Sequence, residues 1–277
     1  MSQAYTIVTG AGGSIGQSIT RALANMGRNV IMACRNLEKD TPLCNKINEE
    51  CRGEVMIAQL DLASFDSIKK FVQYIRESNF EIEALINNAG VMNKTYKTTR
   101  EGHEMTIGVN FLGTYLLTEL LKPLIPAGGH ITFTTSLTRF IGKIDHGFFS
   151  LNDSNYTRFK AYSNSKYATT IYASNLAHEL ESQGIYVNAA DPGIVNTGMI
   201  HMDSWVDPIA DILFRPIISS PDKGATSALN ANASQVRNMI FMGKRNQSIP
   251  KRFAQHPMAA WLKEETHKIV APWLCSK

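Results

Sequence analysis

An apolar run at 5–9 breaks into Thr9-Gly10-Ala11-Gly12-Gly13-Ser14-Ile15-Gly16 and resumes as Ile15, Ile19, Leu23 and Met26. Apolar residues three to four apart mark one face of a helix, so the pattern reads as strand, glycine turn, helix. The alternation then repeats. Strand-like runs follow at 29–33, 55–60, 84–87, 131–135, 186–190 and 239–242. Helix-like stretches separate them at about 38–51, 65–78, 101–121, 161–183 and 222–234, with Pro221 at the start of the last. This order predicts an α/β fold: a doubly wound, seven-stranded parallel sheet with helices on both faces, because right-handed crossovers between parallel strands place the helices there. Ligands of such sheets bind beyond the carboxyl ends of the strands.

A chain of 277 residues supplies one large core and does not divide comfortably into two, so 1–277 is read as a single domain. Hydrophobic residues at 44% and charged residues at 19% exclude a disordered or fibrous chain. The formal charge of +4 is spread without a basic block, which argues against a nucleic-acid or anionic-membrane partner and for a small molecule. No apolar run approaches the roughly 18 residues of a membrane span, and the expected location is cytoplasmic. Cys34, Cys44, Cys51 and Cys275 lack paired spacing and are read as reduced thiols. None of the seven histidines forms a metal-ligand pair of familiar spacing, so no metal is expected.

The glycine stretch lies where a strand meets a helix. Glycines there allow a tight turn and close backbone approach to a pyrophosphate, which the helix N-terminus then faces. In dinucleotide-binding folds that prefer NAD, an acidic residue ending the second strand bonds the ribose hydroxyls. Here that strand ends Ala33-Cys34-Arg35-Asn36. No carboxylate opposes a 2'-phosphate, and Arg35 can fork onto one, so NADP(H) is favoured over NAD(H). The plain alternative, a solvated arginine at a strand end, stays open.

Asn87-Asn88-Ala89-Gly90 after the fourth strand and Tyr162-Ser163-Asn164-Ser165-Lys166 further on make the chain resemble the short-chain dehydrogenases/reductases over nearly its whole length. Tyr-x-x-x-Lys alone is weak; order and spacing give the specificity. The resemblance extends to Ser136 after the fifth strand and Asn110 in the preceding helix. It implies a catalytic set of Tyr162, Lys166, Ser136 and Asn110. It also implies a nicotinamide cofactor held by Gly10, Gly13, Ser14, Ile15, Gly16, Arg35, Asp61, Leu62, Asn88, Ala89, Gly90, Tyr162, Lys166, Pro192, Gly193 and Thr197. One departure is Ser14 where the common form has glycine; Gly10, Gly13 and Gly16 fit the spacing of the epimerase and dehydratase branch instead. The 26 positions from Ser136 to Tyr162, and the Cys34-Arg35-Asn36 strand end, are similar to the branch of retinol dehydrogenases and protochlorophyllide reductases.

On a helix Tyr162 and Lys166 stand one turn apart on one face, so the ammonium is expected to favour the phenolate. Ser136 is expected to orient the substrate oxygen, and Asn110, by the resemblance, to hold a water linking Lys166 to solvent. The reaction expected is hydride transfer between the cofactor and a carbonyl, alcohol or activated double bond, with Tyr162 moving the proton. Two rivals stay open: a redox-sensing NADP(H)-binding module without turnover, and an epimerase or dehydratase using the same residues. The segment at about 193–220, with Met199, Met202, Trp205 and Phe214, reads either as a lid for an apolar substrate or as helices simply packed on the domain. The insert at 139–160 is a pocket wall or a surface contact. The stretch 261–270 reads as an amphipathic helix packed on the domain. Family members often form homodimers or homotetramers through the helices placed here at 101–121 and 161–183, and either assembly is possible for this chain.

Overall fold

The computed structural model describes residues 4–193 and 220–274. Within them one sheet runs in the order β3-β2-β1-β4-β5-β6-β7-β8. Its strands are β1 (Ala4–Thr9), β2 (Asn29–Cys34), β3 (Val55–Gln59), β4 (Glu81–Asn87), β5 (His130–Thr134), β6 (Tyr186–Ala190), β7 (Met239–Met242) and β8 (Arg245–Ser248). The first seven pair in parallel, as the alternation of elements predicts. The eighth is an addition: β8 runs antiparallel to β7. Its four residues are all exposed and polar, so no period-two pattern marks it in the sequence.

The helices are α1 (Ser14–Asn25), α2 (Leu37–Glu50), α3 (Phe65–Glu77), α4 (105–121), α5 (Arg158–Glu179), α6 (Pro221–Ala233), α7 (Lys251–Ala254) and α8 (Ala259–Leu274). Side-chain caps set several of their starts. Asn36 Oδ1 accepts from Lys39 N at 3.0 Å, and Ser64 and Thr157 hydroxyls each accept from the third residue beyond at 3.3 Å. The helix expected from 101 begins at 105 instead, because Thr98 bridges Glu104 in antiparallel fashion and the Glu104 carboxylate caps Thr106 N and Ile107 N, both at 2.8 Å. At Gly108–Gly113 α4 widens into a π-helical turn.

Two apolar layers flank the sheet, one built with α1, α2 and α6, the other with α3, α4, α5 and α8. Helix α5 lies deep in the second layer although its sequence is rich in hydroxyls, and three of those hydroxyls are satisfied within the helix. Ser165 Oγ donates to Tyr162 O at 2.7 Å, Thr169 Oγ1 to Ser165 O at 2.9 Å and Thr170 Oγ1 to Lys166 O at 2.8 Å. Burial therefore leaves these groups no unmet desolvation cost.

Leu262, Thr266 and Val270 of α8 are buried against the layer of α3, α4 and α5. Lys263 pairs with Glu179 of α5 at 3.1 Å, and the Trp273 ring lies 5.8 Å from Phe65. The insert joins the same layer: Phe148 is buried, with its ring edge-on to Phe111 at 5.8 Å, and Phe149 stands 6.1 Å from Trp261. A homodimer seated on this face of α4 and α5 would meet α8 and the insert already there. Leu262→Ala is expected to destabilise the chain by about 2–4 kcal/mol through lost burial and the cavity left behind, read from the midpoint of urea unfolding.

Candidate active site

The loops beyond β1 and β4 are fastened to each other by side chains. Thr9 Oγ1 accepts from Asn88 N and Ala89 N, both at 3.0 Å, while Asn88 Nδ2 donates to Thr9 O at 3.0 Å and to Gly10 O at 3.4 Å. Gly10 sits at φ +63°, and a Cβ there would lie 2.9 Å from Ala89 Cα. Gly16, in the first turn of α1, is tighter: a Cβ would stand 2.3 Å from Gly10 O and 2.7 Å from Ala11 Cα. Gly13 precedes α1 without a side-chain cap, and Ser14 and Ile15 open the helix. The loop thus curls back on α1 and presents backbone N–H groups, the arrangement that receives a pyrophosphate.

Arg35, at the end of β2, lines a cleft of about 510 Å³ shared with Gln59, Asp61, Ser64, Lys70 and Arg100. Asp61 N donates to Ser67 Oγ at 2.9 Å and Asp61 Oδ1 accepts from Ala63 N at 3.0 Å, which fixes the carboxylate at the cleft wall; Leu62 beside it is buried. Sequence reasoning placed Arg35, Asp61 and Leu62 at this end of the sheet. It missed Lys70 and Arg100, which come from α3 and from the turn before α4 and match no short motif.

The other half of the site lies beyond β4, β5 and β6. Asn110 sits in the π-helical turn of α4. Its Oδ1 accepts from Val91 N at 2.8 Å, and its Nδ2 donates to Val91 O at 2.9 Å and Ser165 Oγ at 3.0 Å. The side chain is thus engaged with backbone and with α5. A Cβ on Gly90 would lie 3.4 Å from Lys166 Nζ and 3.5 Å from Asn110 Oδ1, so the Asn-Asn-Ala-Gly loop runs close past both.

Lys166 is buried, and its Nζ donates to Thr134 O at 2.7 Å and stands 5.7 Å from the Tyr162 ring centroid. Burial pushes its ammonium down to about 8, against the charge of Asp191, which acts to raise it. Burial also pushes the Tyr162 phenol up to about 12; the hydrogen bond with Ser136 works to lower it and the charge of Asp191 to raise it. The ammonium of Lys166, one turn along the helix from Tyr162, is drawn to a strand carbonyl. Pro192 and Gly193 follow β6, with Gly193 N donating to Asp191 Oδ1 at 2.9 Å. Thr197 and nearly all of the expected lid at 193–220 lie outside the described residues.

Residues 4–204 match the family model described as short chain dehydrogenase. The chain belongs to the short-chain dehydrogenase family. It is 32% identical over 280 residues to human (Homo sapiens) retinol dehydrogenase 13, covering 95% of this chain and 83% of that protein. It is 33% identical over 235 residues to human polyprenol dehydrogenase, covering 81% of this chain and 71% of the relative. Among solved structures, a protein from Mycobacterium paratuberculosis superposes with a TM-score of 0.78 at 27% identity, over 98% of this chain and 94% of that one. This short-chain dehydrogenase is accordingly an oxidoreductase acting on CH–OH groups, of a family that uses a nicotinamide cofactor, and its relatives place it nearest the retinol dehydrogenase branch. No helix among the described residues is long and apolar enough to cross a membrane.

The contacts at Gly16 give a direct test of the cradle. Gly16→Ala cannot be accommodated without moving the Gly10 carbonyl, so NADPH affinity is expected to fall by about tenfold or more. Fluorescence titration of the nucleotide, with the unfolding midpoint measured alongside, checks it.

Proposed function

We propose that this short-chain dehydrogenase moves a hydride between NADP(H) and an apolar alcohol or its carbonyl counterpart, with Tyr162 as proton donor and acceptor. The observation that carries the reading is the meeting of Ser136, Tyr162 and Lys166 at the carboxyl ends of β5 and β6, with Asn110 braced beside them by Val91 and Ser165. When bound, the nicotinamide supplies or accepts the hydride. Ser136, already hydrogen-bonded to the phenol, orients the substrate oxygen toward Tyr162. Tyr162 then gives that oxygen a proton in reduction and takes one in oxidation.

The cofactor preference is supported by the end of β2, where Cys34-Arg35-Asn36 offers a guanidinium and no carboxylate. Arg35, Lys70 and Arg100 together line the cleft in which an adenosine 2'-phosphate would sit. The apolar substrate is supported by the relatives' names, retinol and polyprenol dehydrogenases, both of which denote long hydrocarbon alcohols.

Tyr162→Phe removes the phenolic hydroxyl with its exchangeable proton, so turnover is expected to drop below about a thousandth of wild type while NADPH affinity stays within a few fold. Substantial residual turnover would exclude Tyr162 from the role. Arg35→Ala is expected to weaken NADPH binding by about tenfold to a hundredfold and to leave NADH nearly unchanged, since a charge-assisted pair contributes about 1.5–3 kcal/mol. Equal losses for the two nucleotides would place Arg35 away from the 2'-phosphate.

The raised phenol fixes the sign of the pH dependence. With Tyr162 protonated through the neutral range, carbonyl reduction has its acid ready and holds steady, falling only in strong alkali. Alcohol oxidation needs the phenolate and is expected to climb with pH, by up to about tenfold per unit where proton transfer limits the rate. Initial rates in both directions across the pH range read this out.

A further inference from the structure

Arg139 lies three residues beyond Ser136 and is fully buried, an unusual place for a guanidinium. It closes the short 3-10 turn Leu137–Phe140 with its backbone, Arg139 N donating to Ser136 O at 3.0 Å. Its side chain returns to the same carbonyl, Nη1 donating to Ser136 O at 2.7 Å. The same Nη1 pairs with the buried carboxylate of Asp191. Asp191 is tied on every side: its other oxygen accepts from Gly193 N at 2.9 Å, its amide donates to Phe241 O at 2.8 Å, and its carbonyl accepts from Ser227 Oγ at 2.7 Å. One ion pair therefore spans the loop that carries Ser136 and the loop that carries Pro192 and Gly193.

We propose that Arg139 and Asp191 are positioning residues: their buried ion pair clamps the Ser136 loop to the Pro192-Gly193 loop and so holds Ser136 in place against Tyr162. The inference rests on the reading of Tyr162 as the acid/base. A buried pair of this kind is a poor source of net stability, because desolving both charges consumes most of their attraction. Nε and Nη2 of Arg139 have no hydrogen-bond partner among the described residues, which adds to the cost. An apolar pair would fill the space more cheaply. The geometry explains what the pair contributes instead, a rigid polar tie between two loops that β5 and β6 only bring side by side. It also places a compensated charge near the reacting centre. Among the described residues the charged groups acting on Tyr162 are Lys166 from its own helix and Asp191 from beyond β6. Ser136 is hydrogen-bonded to it from beyond β5, and Arg139 balances Asp191. Asp191 acts to raise both Tyr162 and Lys166, and Arg139 is the only cation paired with it among the described residues.

The test is the ratio of alcohol oxidation to carbonyl reduction at fixed pH near neutrality by the cofactor-saturated enzyme, with kcat and KM separated: a shift of the phenol changes oxidation and spares reduction, whereas a displaced Ser136 slows both. Asp191→Asn leaves the guanidinium uncompensated, so the ratio is expected to rise by about tenfold. Arg139→Met leaves the carboxylate uncompensated, and the ratio is expected to fall by a similar factor. The double variant Arg139→Met/Asp191→Asn strands no charge; its ratio returns to the wild-type value while kcat stays about tenfold low in both directions, because the tie is gone. Arg139→Lys keeps the charge but loses the guanidinium nitrogen shared between Ser136 O and Asp191, and is expected to keep the wild-type ratio with reduced kcat and unchanged KM for NADP+. Either single variant can fail to fold, and the double and the lysine variants then decide: wild-type kcat in both overturns the proposal. So do shifts of the two single variants in the same direction. Tyr162→Phe separates the layers of the argument. If it still turns over, the acid/base reading falls; if it is dead while the double and lysine variants behave as wild type, only the clamp falls.

Discussion

Every parallel strand of this sheet ends in backbone that has run out of ladder partners, and the molecule depends on how those ends are satisfied out of reach of bulk water. Buried polar groups without partners cost about 1–3 kcal/mol each, so the loops beyond the strands cannot simply be laid over the sheet. Side chains do the joining. Thr9 and Asn88 lock the loops beyond β1 and β4; Asn110 takes both backbone groups of Val91; Lys166 holds Thr134 O; Asp191 holds Gly193 N. The residues of the site are thus at the same time the residues that finish the sheet. That double duty explains why the cluster is so rigidly specified, and why its titrating members are displaced by burial before any partner charge is considered.

Much of the fold was legible because its period is simple. The seven parallel strands are largely apolar runs four to seven residues long, and α1 and α3 carry one-sided apolar faces that a 3.6-residue repeat exposes. Helix α5 was legible only through its motif: it is buried almost all round and has no apolar stripe, and hydroxyls such as those of Thr169 and Thr170 turn back on the helix instead of seeking water. Strand β8 gave no signal, being four polar residues at the rim. The π-helical turn of α4 was equally silent, because Gly108-Val109-Asn110-Phe111-Leu112-Gly113 reads as ordinary helix until Thr114 Oγ1 is found bonded to Val109 O, five residues back, at 3.1 Å.

The candidate site shows the same division. Tyr162, Lys166, Ser136 and Asn110 stand together as their order in the chain suggests, and Arg35 and Asp61 share a cleft. What the sequence did not reveal is electrostatic. Nothing in a linear reading couples Arg139 to Asp191, which are 52 positions apart, or tells how far burial pushes the phenol up. Proximity in the chain predicts which charges can meet; only packing decides how much solvent is taken from them.

The polar hairpin at β8 matters beyond the count of strands. A sheet of parallel strands has no natural end, and each open edge offers unpaired N–H and C=O groups to any other extended chain. On the β7 side that offer is closed by Arg245-Asn246-Gln247-Ser248, which uses the edge of β7 antiparallel and turns outward a strand too short and too hydrophilic to recruit another. The last strand thus works as a terminator of growth, guarding the concentrated protein against edge-to-edge aggregation.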